Sequence, residues 1–108
     1  MDFKKLLKFA SLEDKRLRDK YSHCENKETM ILAELAKIGE EFGELSSEVL
    51  AHLSLVRAEK LANHSKESTE GEFADVVLTT LILAQSMSID IEKSLKDKMK
   101  KINKRYSL

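Results

Sequence analysis

Two pairs of acidic residues are the part of this 108-residue sequence best suited to chemistry. Glu41 and Glu44 are three positions apart, and Glu72 and Asp75 repeat that spacing after 27 intervening residues. Side chains three positions apart on a helix are neighbours on one face, so each pair predicts two adjacent carboxylates. Like charges at this distance repel one another, and a divalent cation would relieve the repulsion. Because all the ligands are oxygens, with no useful His or Cys nearby, the pattern favours Mg²⁺ or Mn²⁺.

Each pair also has an ordinary structural interpretation. An isolated pair of glutamates on a helix is commonly a solvated acidic stripe, which Glu48 would extend here. Glu72 could form a capping box with Thr69, since Thr-x-x-Glu is the signature of that motif. Asp75 could pair with a Lys or Arg. None of these alternatives explains why two pairs with the same spacing occur on neighbouring predicted helices.

The elements that carry these pairs are predicted to be helices. The chain has no Pro and only three Gly, and Leu, Glu, Lys and Ala are abundant. Apolar residues recur at spacings of three and four, which is the helical period. The predicted helices cover residues 3–21, 28–61, 70–87 and 91–105, with Asp90 as the N-cap of the last and a polar loop over residues 63–69. We expect an all-α bundle of four to five helices in a single domain over residues 1–108, with a motif-bearing core at 28–106.

The third predicted helix is apolar around most of its circumference after its first turn. Phe73, Val76, Val77 and Leu81 lie on several of its faces. A chain of this size has a modest core, so it cannot easily cover such a helix alone. We therefore expect a second copy to cover the outer face, in a homodimer or homotetramer.

Charge is unevenly distributed along a chain whose formal net charge is zero. Residues 25–92 hold 5 bases and 14 acids, whereas residues 93–108 hold 7 bases and 1 acid. This pattern suits a metal and phosphate site, although two neighbouring solvated faces would produce it as well. The strongly acidic middle argues against nucleic acid as a partner, because it would repel phosphate.

Two further observations bear on the compartment. The longest run without a charged residue ends before Asp90, contains Thr, Gln and Ser, and is shorter than the roughly 20 apolar residues of a membrane span. The single cysteine, Cys24, cannot form an internal disulfide, and no signal-peptide pattern is present. We expect a cytoplasmic protein that makes no membrane contact.

Several segments in a fixed order resemble the MazG-like nucleotide pyrophosphohydrolases. The likeness covers roughly residues 28–106, and the segments are EEFGEL at 40–45, EFADV at 72–76, SIDIE at 88–92 and KINKRY at 101–106. The resemblance implies an all-α oligomer that hydrolyses a nucleoside triphosphate to the monophosphate and pyrophosphate. It also implies Mg²⁺, or Mn²⁺, bound by Glu41, Glu44, Glu72 and Asp75.

The same resemblance implies roles for other residues. Glu40, Glu41 and Glu48 are the candidates for the base that takes a proton from the attacking water. The implied substrate-binding residues are Lys98, Lys101, Asn103 and Arg105. Ile102 stands where the family pattern has an asparagine, so the role of Asn103 is open. The bases could instead form a solvated helix end, where the helix dipole favours Lys.

A different class of protein also fits part of the pattern. A non-catalytic helical interaction module, with its acidic face against the basic tail of a partner, would explain the segregated charge. It would not explain the repeated three-residue spacing. A ferritin-like carboxylate protein is excluded, because such a protein needs Glu-x-x-His and the sequence contains none.

Overall fold

The structure, a computed structural model, describes residues 1–23, 26–54 and 65–106. These residues form four helices and no strand, which confirms the all-α prediction. In chain order the helices are α1 (Phe3–Lys20), α2 (Lys27–His52), α3 (Lys66–Ser86) and α4 (Ile91–Lys104).

A polar side chain begins each helix. The capping side chain accepts a hydrogen bond of 2.8 to 3.1 Å from the backbone N–H three positions later. The four N-caps are Asp2, Asn26, Ser65 and Asp90. Each such cap stabilises its helix by about 1 kcal/mol, because it satisfies a backbone donor that the helix leaves unpaired. The predicted N-cap at Asp90 is therefore confirmed.

The predicted start of the third helix is wrong by one turn. α3 begins at Lys66, because Ser65 and Ser68 exchange hydrogen bonds of 3.0 Å in a capping box. Thr69 consequently lies inside the first turn, where its hydroxyl donates to the Ser65 carbonyl at 3.2 Å. The alternative capping box between Thr69 and Glu72 is therefore also wrong. The Glu72 carboxylate does not cap the start of α3.

The second helix is shorter than predicted. α2 ends at His52, with Leu53 as its C-cap, and Ser54 adopts a left-handed φ of 57°. The rest of the predicted helix, residues 55–61, lies outside the described residues, as does Cys24. The acidic residues of the first pair are therefore well inside α2, at a distance from both ends.

α3 is the central helix of the bundle. It packs against both α2 and α1, and Ala10, Leu81 and Ile82 form a buried apolar cluster. The partly buried residues around them are Phe3, Leu6, Leu7, Leu17 and Ile91. The first half of α3 is different, because Phe73 and Val77 are 54% and 51% exposed. The burial predicted for α3 on several sides is thus achieved within one chain only in its second half.

α4 leaves the bundle at a sharp turn. Ser88 adopts a left-handed φ of 56°, and the Ile89 N–H donates to the Ala84 carbonyl at 2.9 Å, as in a Schellman motif. α3 and α4 are bent by 114°, and α4 makes few contacts with the other helices. Its apolar side chains stay largely exposed; the side chain of Met99, for example, is 57% exposed. No single helix in the described ranges is long and apolar enough to cross a membrane; only α3 and α4 together, across their bend, meet that test.

Candidate metal centre

The packing of α2 along α3 brings the two acidic pairs together. One carboxylate oxygen from each of Glu41, Glu72 and Asp75 lies within 4.8 Å of the others. Glu44 adjoins this group, because it contributes to the raised pKa of Glu72. We call these four residues the acidic cluster. The three-residue spacing in the sequence predicted each pair of acids. The packing of α2 against α3 brings the two pairs next to each other.

Two oxygens of the acidic cluster are buried without a donor. Glu41 is only 6% exposed, and Oε2 of Glu41 and Oε2 of Glu72 have no hydrogen-bond partner among the described residues. Leaving a carboxylate oxygen away from water with no partner is costly, and a bound cation removes that cost. Asp75 and Glu44 are exposed, so the cluster stays open on one side. An all-oxygen set that leaves room for water and phosphate oxygens fits Mg²⁺.

The acidic cluster changes the acidity of Glu72. The pKa of Glu72 is raised by partial burial, then by the charge and hydrogen bond of Glu44, and then by the charges of Asp75 and Glu41. All of these causes disfavour the ionised form of the Glu72 carboxyl. A divalent cation among these oxygens would act in the opposite direction, because it favours ionised ligands.

Lys37 is a member of this site that the sequence reasoning missed. Its Nζ lies 3.1 Å from Oε1 of Glu41 and 3.7 Å from Oε2 of Glu40. The pKa of Lys37 is raised by the hydrogen bond with Glu41 and by the charge of Glu40. The signal in the sequence was the four-residue spacing between Lys37 and Glu41, which places both side chains on one face of α2. Lys37 thus places a cation beside the carboxylates of the site.

The predicted base candidates occupy three different positions. Glu41 belongs to the acidic cluster, whereas Glu40 is exposed and contacts Lys37. Glu48 is half-buried two turns beyond Glu41, and its Oε2 accepts a 2.9 Å hydrogen bond from the Ser68 hydroxyl. Glu48 therefore links α2 to the beginning of α3.

The predicted substrate-binding residues are all on or just beyond α4. Lys98, Lys101, Asn103 and Arg105 are exposed. No ion pair between described residues joins the three bases to the acidic cluster. The structure therefore brings three of the four predicted metal ligands together, Glu41, Glu72 and Asp75, and no described ion pair joins the predicted phosphate-binding residues to them within one chain.

The fold and the site define an all-α protein with a carboxylate cluster suited to a divalent cation. Residues 29–107 match the family model of the MazG nucleotide pyrophosphohydrolase domain, which is most of the chain. The chain belongs to this family, and the resemblance noted in the sequence is confirmed. No curated protein and no solved structure matched the chain. Membership indicates nucleotide pyrophosphohydrolase activity in general, in a family that usually depends on a divalent metal.

Proposed function

We propose that this protein hydrolyses a nucleoside triphosphate to the monophosphate and pyrophosphate, with Mg²⁺ or Mn²⁺ bound by the acidic cluster. The observation that carries the proposal is the convergence of three carboxylate oxygens within 4.8 Å. Two oxygens of the same cluster are buried without a donor among the described residues, which is the condition that a cation relieves. Glu41, Glu44, Glu72 and Asp75 are the proposed ligands.

The bound cation would neutralise phosphate oxygens and make a water molecule more acidic. The protein must then supply a carboxylate that accepts the proton of the attacking water. The candidates are Glu40, Glu41 and Glu48. Glu48 accepts a hydrogen bond of 2.9 Å from the Ser68 hydroxyl, and Oε1 of Glu41 lies 3.1 Å from Nζ of Lys37. Both contacts fix the position of a carboxylate near the proposed ligands.

A cavity beside the acidic cluster offers room for the base and sugar. It has a volume of about 500 Å³ and is lined by Leu17, Met30, Lys37, Thr79 and Ile82, among others. Lys37 is one turn from Glu41, and Thr79 is one turn from Asp75, so the cavity adjoins the cluster along both helices. A mostly apolar cavity of this size with a few polar groups is typical of small-molecule sites.

We propose further that the active protein is a homodimer or homotetramer. Exposed apolar side chains on three helices support this proposal, including Leu32, Phe42, Phe73, Val77 and Met99. The radius of gyration is 17.0 Å, whereas a compact chain of this length has about 13 Å. A second copy would cover these side chains. It would also let α4 of one copy bring Lys98, Lys101, Asn103 and Arg105 to the phosphates held by the other.

The direct test is pyrophosphate release from a panel of canonical and modified nucleoside triphosphates, measured with Mg²⁺ and with EDTA. We expect at least one triphosphate to be cleaved to its monophosphate only when Mg²⁺ or Mn²⁺ is present. No turnover of any panel member, together with no thermal stabilisation by either metal, would reject the proposal. That result would favour the alternative, a non-catalytic helical module whose acidic and basic faces meet in an oligomer.

A further inference from the structure

A second pair of carboxylates is buried where three helices meet, away from the acidic cluster. Asp14 on α1 is 4% exposed and Glu34 on α2 is 6% exposed. Ser86, at the end of α3, is buried beside them. The two acids are 20 positions apart in the sequence, so their interaction depends on how α1 and α2 both pack against α3.

The hydrogen bonding around this pair is incomplete if both carboxyls are ionised. Arg18 Nη2 lies 3.1 Å from Oδ2 of Asp14 and satisfies that oxygen. Oδ1 of Asp14 and both oxygens of Glu34 are buried with no hydrogen-bond partner among the described residues. Two adjacent buried carboxylates cannot both carry a charge without strong repulsion. A single proton on Glu34 resolves this, because its O–H can then donate to Asp14, whose Oδ1 is open as an acceptor.

We propose that Asp14 and Glu34 share one proton and form a pH-sensitive latch that fastens α1 to α2 and α3. With the proton in place, the pair is a hydrogen bond between helices. Without it, two like charges face each other at buried positions, and α1 loosens from the bundle.

The electrostatic environment supports this assignment. The pKa of Glu34 is raised to about 7, mainly by burial and then by the hydrogen bond and charge of Asp14. Ser86 and Arg18 act in the opposite direction. The charged groups that act on Glu34 are Asp14 and Arg18 of α1, while α3 contributes the uncharged Ser86. Three other titratable side chains line the same cavity as Glu34: Glu13, His23 and Lys37.

The direction of the pH effect follows from linkage. Between its ordinary pKa of 4.5 and about 7, Glu34 holds a proton in the folded protein and has lost it in the unfolded chain. The proton on Glu34 therefore contributes fully to the stability of the folded protein below about pH 4.5. This contribution is lost as the pH rises through about 7.

The position of the pair gives its opening a structural consequence. Glu34 lies in the wall of the apolar cavity of about 500 Å³, whereas Asp14 and Ser86 line a polar cavity of about 530 Å³. The pair therefore forms part of the partition between the two cavities. Loosening α1 would let water pass between them. This inference does not depend on the proposed hydrolase activity.

Hydrogen exchange of the α1 amides tests the latch in the intact protein. After correction for intrinsic exchange rates, we expect the opening equilibrium of α1 to rise at least ~10-fold between about pH 5.5 and about pH 8, relative to α3. Glu34→Gln keeps a donor toward Asp14 but cannot titrate, so its α1 opening should not change with pH. Glu28→Gln, at an exposed site on the same helix, should behave like the wild type. Equal pH responses in the wild type and Glu34→Gln, or none in the wild type, would overturn the proposal.

A second measurement needs no variant. The side-chain carboxyl of Glu34 can be titrated by carbon NMR in the wild-type protein. A midpoint near neutral pH, accompanied by chemical-shift changes in α1, supports the latch. A midpoint near the ordinary value of 4.5 overturns it, whether or not Glu34→Gln folds.

Discussion

Lys37 lies with its Nζ 3.1 Å from Oε1 of Glu41, while Oε2 of the same buried carboxylate has no donor among the described residues. One oxygen of Glu41 is thus satisfied by a protein cation, and the other is available to a metal. The Lys37 ammonium group and a bound metal ion would therefore compete for the negative charge of Glu41. Lys37 offsets repulsion in the acidic cluster when no metal is bound, and it opposes the approach of a divalent cation.

Removing this lysine should therefore have two opposite effects. We expect Lys37→Met to lower the free energy of unfolding by about 1 kcal/mol in EDTA, because it leaves Glu41 without its partner. The effect is modest because Lys37 is itself about half exposed. The same substitution should tighten Mg²⁺ binding several-fold. Urea unfolding in EDTA and calorimetric titration with Mg²⁺ measure the two quantities.

A matched control is Lys66→Met. Lys66 has the same four-residue relation to Glu70, at 3.9 Å, but both side chains are exposed. We expect little change in stability or metal binding from this control. Weaker Mg²⁺ binding by Lys37→Met would contradict the competition between the two cations.

Asp75→Ala should separate catalysis from folding. Asp75 is exposed and adds a like charge beside Glu72, so its removal should leave the metal-free protein as stable as before or slightly more stable. We expect pyrophosphate release to fall at least ~100-fold, because one of four metal ligands is lost. Glu70→Ala, also exposed and on the same helix, should keep its activity. A full rate in Asp75→Ala, or loss of its helical circular dichroism, would show that Asp75 is not a ligand of this kind.

Val77→Lys tests whether a second copy covers the first half of α3. Val77 is 51% exposed in the single chain, and a lysine there would place a charge inside an apolar interface. We expect light scattering to show a smaller particle than the wild type. Leu12→Lys is the control, because Leu12 is similarly exposed, at 46%, but lies on α1. We expect this control to have the same particle size as the wild type. A monomeric wild type, or an unchanged mass for Val77→Lys, would be incompatible with this interface.

The global stability should depend on pH through Glu34. Its pKa is raised from 4.5 to about 7, so the folded protein binds one more proton than the unfolded chain between these values. We expect the free energy of unfolding of the wild type, relative to Glu34→Gln, to fall by up to about 3 kcal/mol as the pH rises across this interval. Urea unfolding of both proteins in EDTA at several pH values measures the difference. A difference that stays constant with pH would exclude Glu34 as the titrating group.

Sequence reasoning misplaced the beginning of α3 for a physical reason. Ser65, Ser68 and Thr69 are all competent N-capping residues, and the sequence offers no local criterion to rank them. The reciprocal hydrogen bonds between Ser65 and Ser68 decide the matter, and Ser68 also donates to Glu48 across to α2. The choice of cap therefore depends partly on a contact between helices.

The sequence by itself determined the helical class, the family and the pairing of acids within each helix, because neighbours on a helix follow from its fixed period of 3.6 residues. Only the tertiary structure decided which helical faces meet. It joined the pair on α2 to the pair on α3, and it brought Asp14 into contact with Glu34. Such contacts depend on how apolar surfaces far apart in the chain pack together, and no local spacing encodes that packing.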